Sequence, residues 1–107
     1  MHLYISSAEP LQVLAKRVRD TSLAGFDIEL RDGLNLGGGD YIKFSKGKEL
    51  EVLLVCNDVD HAEVFIQSME RYAYYCYVWS GPNDILRTMQ DRLVEGGFAC
   101  QLIEDQD

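Results

Sequence analysis

Oxygen and imidazole groups crowd one short stretch, Asn57-Asp58-Val59-Asp60-His61-Ala62-Glu63, and metal or acid–base chemistry would have to begin there. A calcium loop of the EF-hand type needs ligands at its first, third and fifth positions and glycine at its sixth. Counted from Asp58, the third position is Asp60, but the fifth is Ala62 and the sixth is Glu63. The motif fails, and the spacing favours a solvated loop over a Mg²⁺ or Zn²⁺ site built from Asp58, Asp60, His61 and Glu63. The glycine run Leu36-Gly37-Gly38-Gly39-Asp40 lacks the Gly-Lys-Ser/Thr of a phosphate loop and stands between two strands rather than before a helix. It reads as a bent connection whose Asp40 and Tyr41 can contact a partner. Neither His2 nor His61 sits in a nucleophile–base pattern, and no G-x-S-x-G occurs. Cys56, Cys76 and Cys100 are spaced by 20 and 24 residues inside apolar segments, a pattern of buried reduced thiols rather than a zinc site. No catalytic residue, metal or cofactor is assigned, and the chain is read as a non-enzyme.

The chain is 107 residues long, the size of a single domain over 1–107. Its 47% hydrophobic and 26% charged content is that of an ordinary globular fold. The net charge is −8, which argues against nucleic acid and anionic membrane as partners, since both require basic surface. The charge is unevenly placed. Residues 1–47 carry six acids and six bases, whereas residues 48–107 carry twelve acids and four bases. No basic-then-apolar leader opens the chain, and no apolar run approaches the length of a membrane span, so the expected location is the cytoplasm.

The elements that must position these groups follow from periodicity. His2 to Ser6 is a short strand. Ser6-Ser7-Ala8-Glu9 fits a capping box ahead of Pro10, and Leu11, Leu14, Ala15 and Val18 recur at helical spacing until Gly25 stops the helix. Phe26, Ile28 and Leu30 alternate with charged residues as a half-buried strand. Tyr41 to Ser45 and Leu50 to Asn57 form a hairpin around Lys46-Gly47-Lys48, and the nearly continuous apolar second arm predicts a central strand. Residues 58–71 fit either a helix or a loop. Ala73 to Trp79 is a strand by its aromatic and β-branched content. A second helix runs from about Asp84 to Glu95, and Ala99 to Glu104 is the last strand. Two strand–helix–Gly-Phe–strand units, from Tyr4 and from Tyr77, echo each other. The pattern predicts an α+β fold. It has an antiparallel sheet of five or six strands with two or three helices, arranged as ferredoxin-like βαβ units with an inserted hairpin.

The densest acidic patch is Asp58, Asp60 and Glu63, with Glu70 further along, next to a run of aromatics. By strand alternation Tyr75, Tyr77 and Trp79 share one face, and Tyr72, Tyr74, Cys76 and Val78 the other. Tyrosine and tryptophan are favoured interface anchors. The partner-binding set is therefore Asp40, Tyr41, Asp58, Asp60, Glu63, Glu70, Tyr75 and Trp79. In size, acidity and aromatic content, and in the stretches Gly37 to Phe44 and Leu50 to Asp58, the chain resembles the small cytosolic immunity proteins of bacterial toxin systems. That resemblance implies a module that binds a basic partner, a cognate toxin such as a nuclease, and covers its active surface. The alternative is a ferredoxin-like domain that binds a small molecule or regulates, acting as a homodimer paired through its sheet.

Overall fold

Pro10 decides where the first helix begins. Proline disfavours helical backbone in the residue before it, so the capping box expected at Ser6–Glu9 is not made. Helix α1 spans Leu11–Ser22 with Pro10 itself at the N-cap. The Ser7 hydroxyl instead accepts the Glu9 N–H at 3.0 Å, in a local turn ahead of the helix. The computed structural model describes residues 1–33, 39–57 and 67–104. The strands are β1 (His2–Ile5), β2 (Asp27–Gly33), β3 (Gly39–Lys46), β4 (Leu50–Cys56), β5 (Tyr74–Ser80) and β6 (Cys100–Ile103), with α2 (Asp84–Glu95) between the last two. Of the ambiguous segment, 58–66 lies outside the described residues, and Gln67–Met69 forms a single 3-10 turn.

The strands form one antiparallel sheet in the order β2-β3-β4-β5-β1-β6. This is the α+β architecture expected from the sequence, with two helices. Strand β4 is interior, which explains its apolar run: Val52, Leu53, Leu54 and Val55 are all buried, two on each face. The two βαβ units are both present but unequal. One strand, β1, lies between β5 and β6, whereas β5, β4 and β3 lie between β1 and β2. The hairpin β3–β4 has pushed β2 to the far edge. The shared Gly-Phe signal has a common cause, since Gly25 and Gly97 end their helices at φ 87° and 92°, values that favour glycine.

Both helices cover one face of the sheet. Leu14, Ala15 and Val18 of α1 and Leu86, Met89 and Leu93 of α2 pack on Leu3, Ile5, Ile42, Phe44, Val52, Leu54 and Cys76. On α1, the Arg17 guanidinium pairs with Glu9 and lies 4.7 Å from the centre of the Phe98 ring. The helix-free face has a second core of a different kind. Tyr4, Leu53, Val55, Tyr72 and Tyr75 are buried together there, with Tyr41, Met69, Tyr77 and Ile103 against them. Among the described residues, no helix is long and apolar enough to cross a membrane.

Candidate functional site

The strand ladder brings distant residues to one end of the sheet. There β2 finishes, β3 starts, β4 finishes and β5 starts, so Asp32, Asp40, Tyr41, Asn57 and the turn carrying Glu70 all emerge together. Asp32 stands directly opposite Asp40 in the β2–β3 ladder. Both are exposed, and neither pairs with a cation among the described residues. Directly opposed side chains in a ladder sit roughly 5 Å apart at Cβ, and like charges there are destabilising. Asp32 is the site residue that the sequence reading missed. Its signal was present, because a hairpin that opposes Gly33 and Gly39 must also oppose the residues flanking them.

Asn57 holds the neck of this end. Its side-chain amide donates to the Met69 carbonyl at 2.9 Å and the Tyr72 carbonyl at 2.8 Å. Its backbone N–H donates to the Ala73 carbonyl at 2.8 Å. One buried side chain therefore ties the chain leaving β4 to the chain entering β5. Asp58, Asp60 and Glu63, and His61 with them, lie between these tied points and outside the described residues. Glu70 is exposed. Beside it, the Arg71 guanidinium lies 5.0 Å from the centre of the Tyr72 ring, and the Tyr72 hydroxyl donates to Gln101 Oε1 at 3.2 Å. Tyr72 thus belongs to the helix-free core with Tyr75, not to the helix-facing set in which alternation placed it. It precedes β5, where strand alternation does not apply.

The two aromatic site residues separate. Tyr75 is 1% exposed, packed against Tyr4, Tyr77 and His2 with ring centres 5.4–6.0 Å apart, and offers no surface of its own. Trp79 is 63% exposed. The register explains the difference. Glu51 pairs with Ser80 but Val52 pairs with Val78, so Trp79 is the extra residue of a β-bulge. A bulge interrupts alternation and re-aims a side chain, and Trp79 stands out in solvent where Tyr75 is buried. It also stands at the opposite end of β5 from the acidic pair. Tyr41 is half-buried on the helix-free face, facing Arg31 on one side and Val55 on the other. Charges on this face are balanced locally: Arg31 pairs with Glu29 at 3.1 Å and Lys43 with Glu51 at 3.3 Å.

The cysteines are free thiols. Burial pushes Cys76 far up, and neighbouring Cys100 adds to the shift. Burial also raises Cys100. Tyr74 is raised by burial and then by Cys56, and its hydroxyl donates to the Glu9 carbonyl at 2.7 Å. All three groups therefore stand higher in the folded than in the unfolded chain. Their stabilisation is whole below the ordinary thiol value of 9.0 and is lost as pH rises through the raised folded values. Urea midpoints should hold level up to about pH 9 and then fall, with a smaller fall in Cys76→Val. A midpoint that falls equally in both proteins would assign the loss to other groups.

Among the described residues, no group of three or more His, Cys, Asp or Glu side chains is placed to hold a metal ion. Fold and surface together define an α+β protein with a two-sided core and an acidic sheet end. Comparison with protein-family models, with curated proteins and with solved structures found no match.

Proposed function

We propose that this chain is an acidic protein-binding module, of the immunity type, that docks on a basic partner such as a bacterial toxin and covers its active surface. The observation that carries the proposal is the Asp32–Asp40 opposition at the open end of the sheet. Two exposed carboxylates are held face to face at a local cost in stability, with no described cation to relieve it. A lysine or arginine arriving from a partner would relieve it. The net charge of −8 adds long-range attraction for such a surface, which speeds encounter and selects partner sign. Tyr41, next to Asp40, and Glu70 extend the same end.

Asp40→Lys separates binding from folding. It replaces a repulsive cross-strand pair by an attractive one, so the free protein should gain a few tenths to about 1 kcal/mol. Capture of a basic protein from host lysate by the wild type, at low and moderate salt, should be lost with Asp40→Lys and kept with Trp79→Ala at the other end. The captured protein, produced alone, should arrest growth, and co-production of the wild-type chain should relieve the arrest. Capture that is indifferent to Asp40→Lys would remove this docking end. A captured protein without toxicity would remove the immunity role.

A further inference from the structure

We propose that two copies of the chain join edge to edge along β2, antiparallel, about a two-fold axis at Leu30. One apolar row crosses the whole sheet on its helix-covered side, running Leu30, Ile42, Leu54, Cys76, Leu3 and Leu102 in register. Its interior members Ile42, Leu54, Cys76 and Leu3 are at most 1% exposed. At β2 the row is left open, and Leu30 is 47% exposed. Strand β2 is an end strand seven residues long. Among the described residues no strand pairs with its outer side, and an open edge of that length is a template for another strand.

The side chains select one occupant and one register. With Leu30 opposite Leu30 of the second copy, Glu29 falls opposite Arg31 and Arg31 opposite Glu29, both on the helix-free side. The existing Glu29–Arg31 pair of each copy then becomes half of a closed network of four alternating charges. Sliding the pairing by two places sets Arg31 against Arg31, or Glu29 against Glu29 with Arg31 then opposite Asp27, so the Leu30-centred register alone is free of a like-charge pair. Sliding it by one place would turn the apolar row to the wrong face. The two-fold arrangement is isologous, so it closes at a dimer rather than growing into a fibre. In this register Asp32, part of the docking end proposed above, falls opposite Ile28 of the second copy, so that end lies at the rim of the dimer edge while Asp40 stays on β3.

Sedimentation equilibrium across a concentration series tests it. The wild type should dimerise, and Glu29→Arg and Arg31→Glu should each weaken the dimer about tenfold or more, because both symmetric pairs turn repulsive. The two variants mixed should re-form a dimer, since every cross-strand pair between them is again opposite in sign. Circular dichroism confirms that each variant is folded. Should a reversal unfold the chain, Leu30→Lys, at an exposed position, serves as the disrupting variant. A wild type that stays monomeric to about 1 mM overturns the proposal. So does a dimer that survives the reversals, or a mixture that fails to associate.

Discussion

Tyr75→Ala lowers the stability of the isolated protein by about 3–5 kcal/mol, while Trp79→Ala leaves it within about 0.5 kcal/mol. The two aromatics are four residues apart on one strand and look equally suited to an interface. Tyr75 is already spent on the chain's own second core, where its ring meets Tyr4, Tyr77 and His2. Removing it opens a cavity that the flanking strands cannot close, because β4 and β1 are pinned on either side of β5 by their ladders. Trp79 protrudes from a bulge, and its loss leaves no comparable void. Urea unfolding of both variants decides the matter. A small effect for Tyr75→Ala would mean that the helix-free face is not a true core.

Asn57→Ala should cost about 2–4 kcal/mol, close to the effect of a large core truncation. The loss exceeds that of an ordinary hydrogen bond, because one substitution takes the side-chain donor from the Tyr72 carbonyl and one of two donors from the Met69 carbonyl, which keeps the Tyr72 N–H at 3.1 Å. A buried acceptor that loses its donor costs about 1–3 kcal/mol, and a second hydrogen bond adds about 0.5–1.5 kcal/mol. Asn57→Asp should be worse, since it replaces the donating nitrogen with an oxygen aimed at two carbonyl oxygens. Thermal unfolding gives the magnitude. Amide exchange gives the location: the Asn57 and Tyr72 N–H groups, bonded to Ala73 and Met69, should lose protection ahead of the rest of β4. Uniform loss of protection across the sheet would mean that Asn57 supports the whole fold rather than the neck.

Most of the elements were legible in the sequence, because each is held by a local pattern. Helix α2 carries Leu86, Met89 and Leu93 at helical spacing and runs as expected from Asp84 to Glu95. Strand β4 reads as central because residues on both of its sides are apolar. The start of α1 was misplaced because a capping box and a following proline compete, and the proline prevails. The exposure of Trp79 was illegible for a related reason: alternation presumes one residue per rung, and the bulge supplies two. The second core was only half legible. An aromatic strand shows that some face must be covered, but it does not show that Tyr4 and Tyr72 come to meet Tyr75.

By itself, then, the sequence determined composition, charge excess, element types and their order, because these depend on residues close together along the chain. The tertiary structure alone decided the strand order β2-β3-β4-β5-β1-β6 and everything that depends on pairing across it. It set Asp32 against Asp40, sent Tyr75 inward and Trp79 outward, joined Asn57 to Met69 and Tyr72, and left Leu30 open at the end of a buried row. Contacts of that kind join residues far apart in the chain. Which of them form is settled by the simultaneous burial of two sheet faces, a global requirement that no local window of sequence contains.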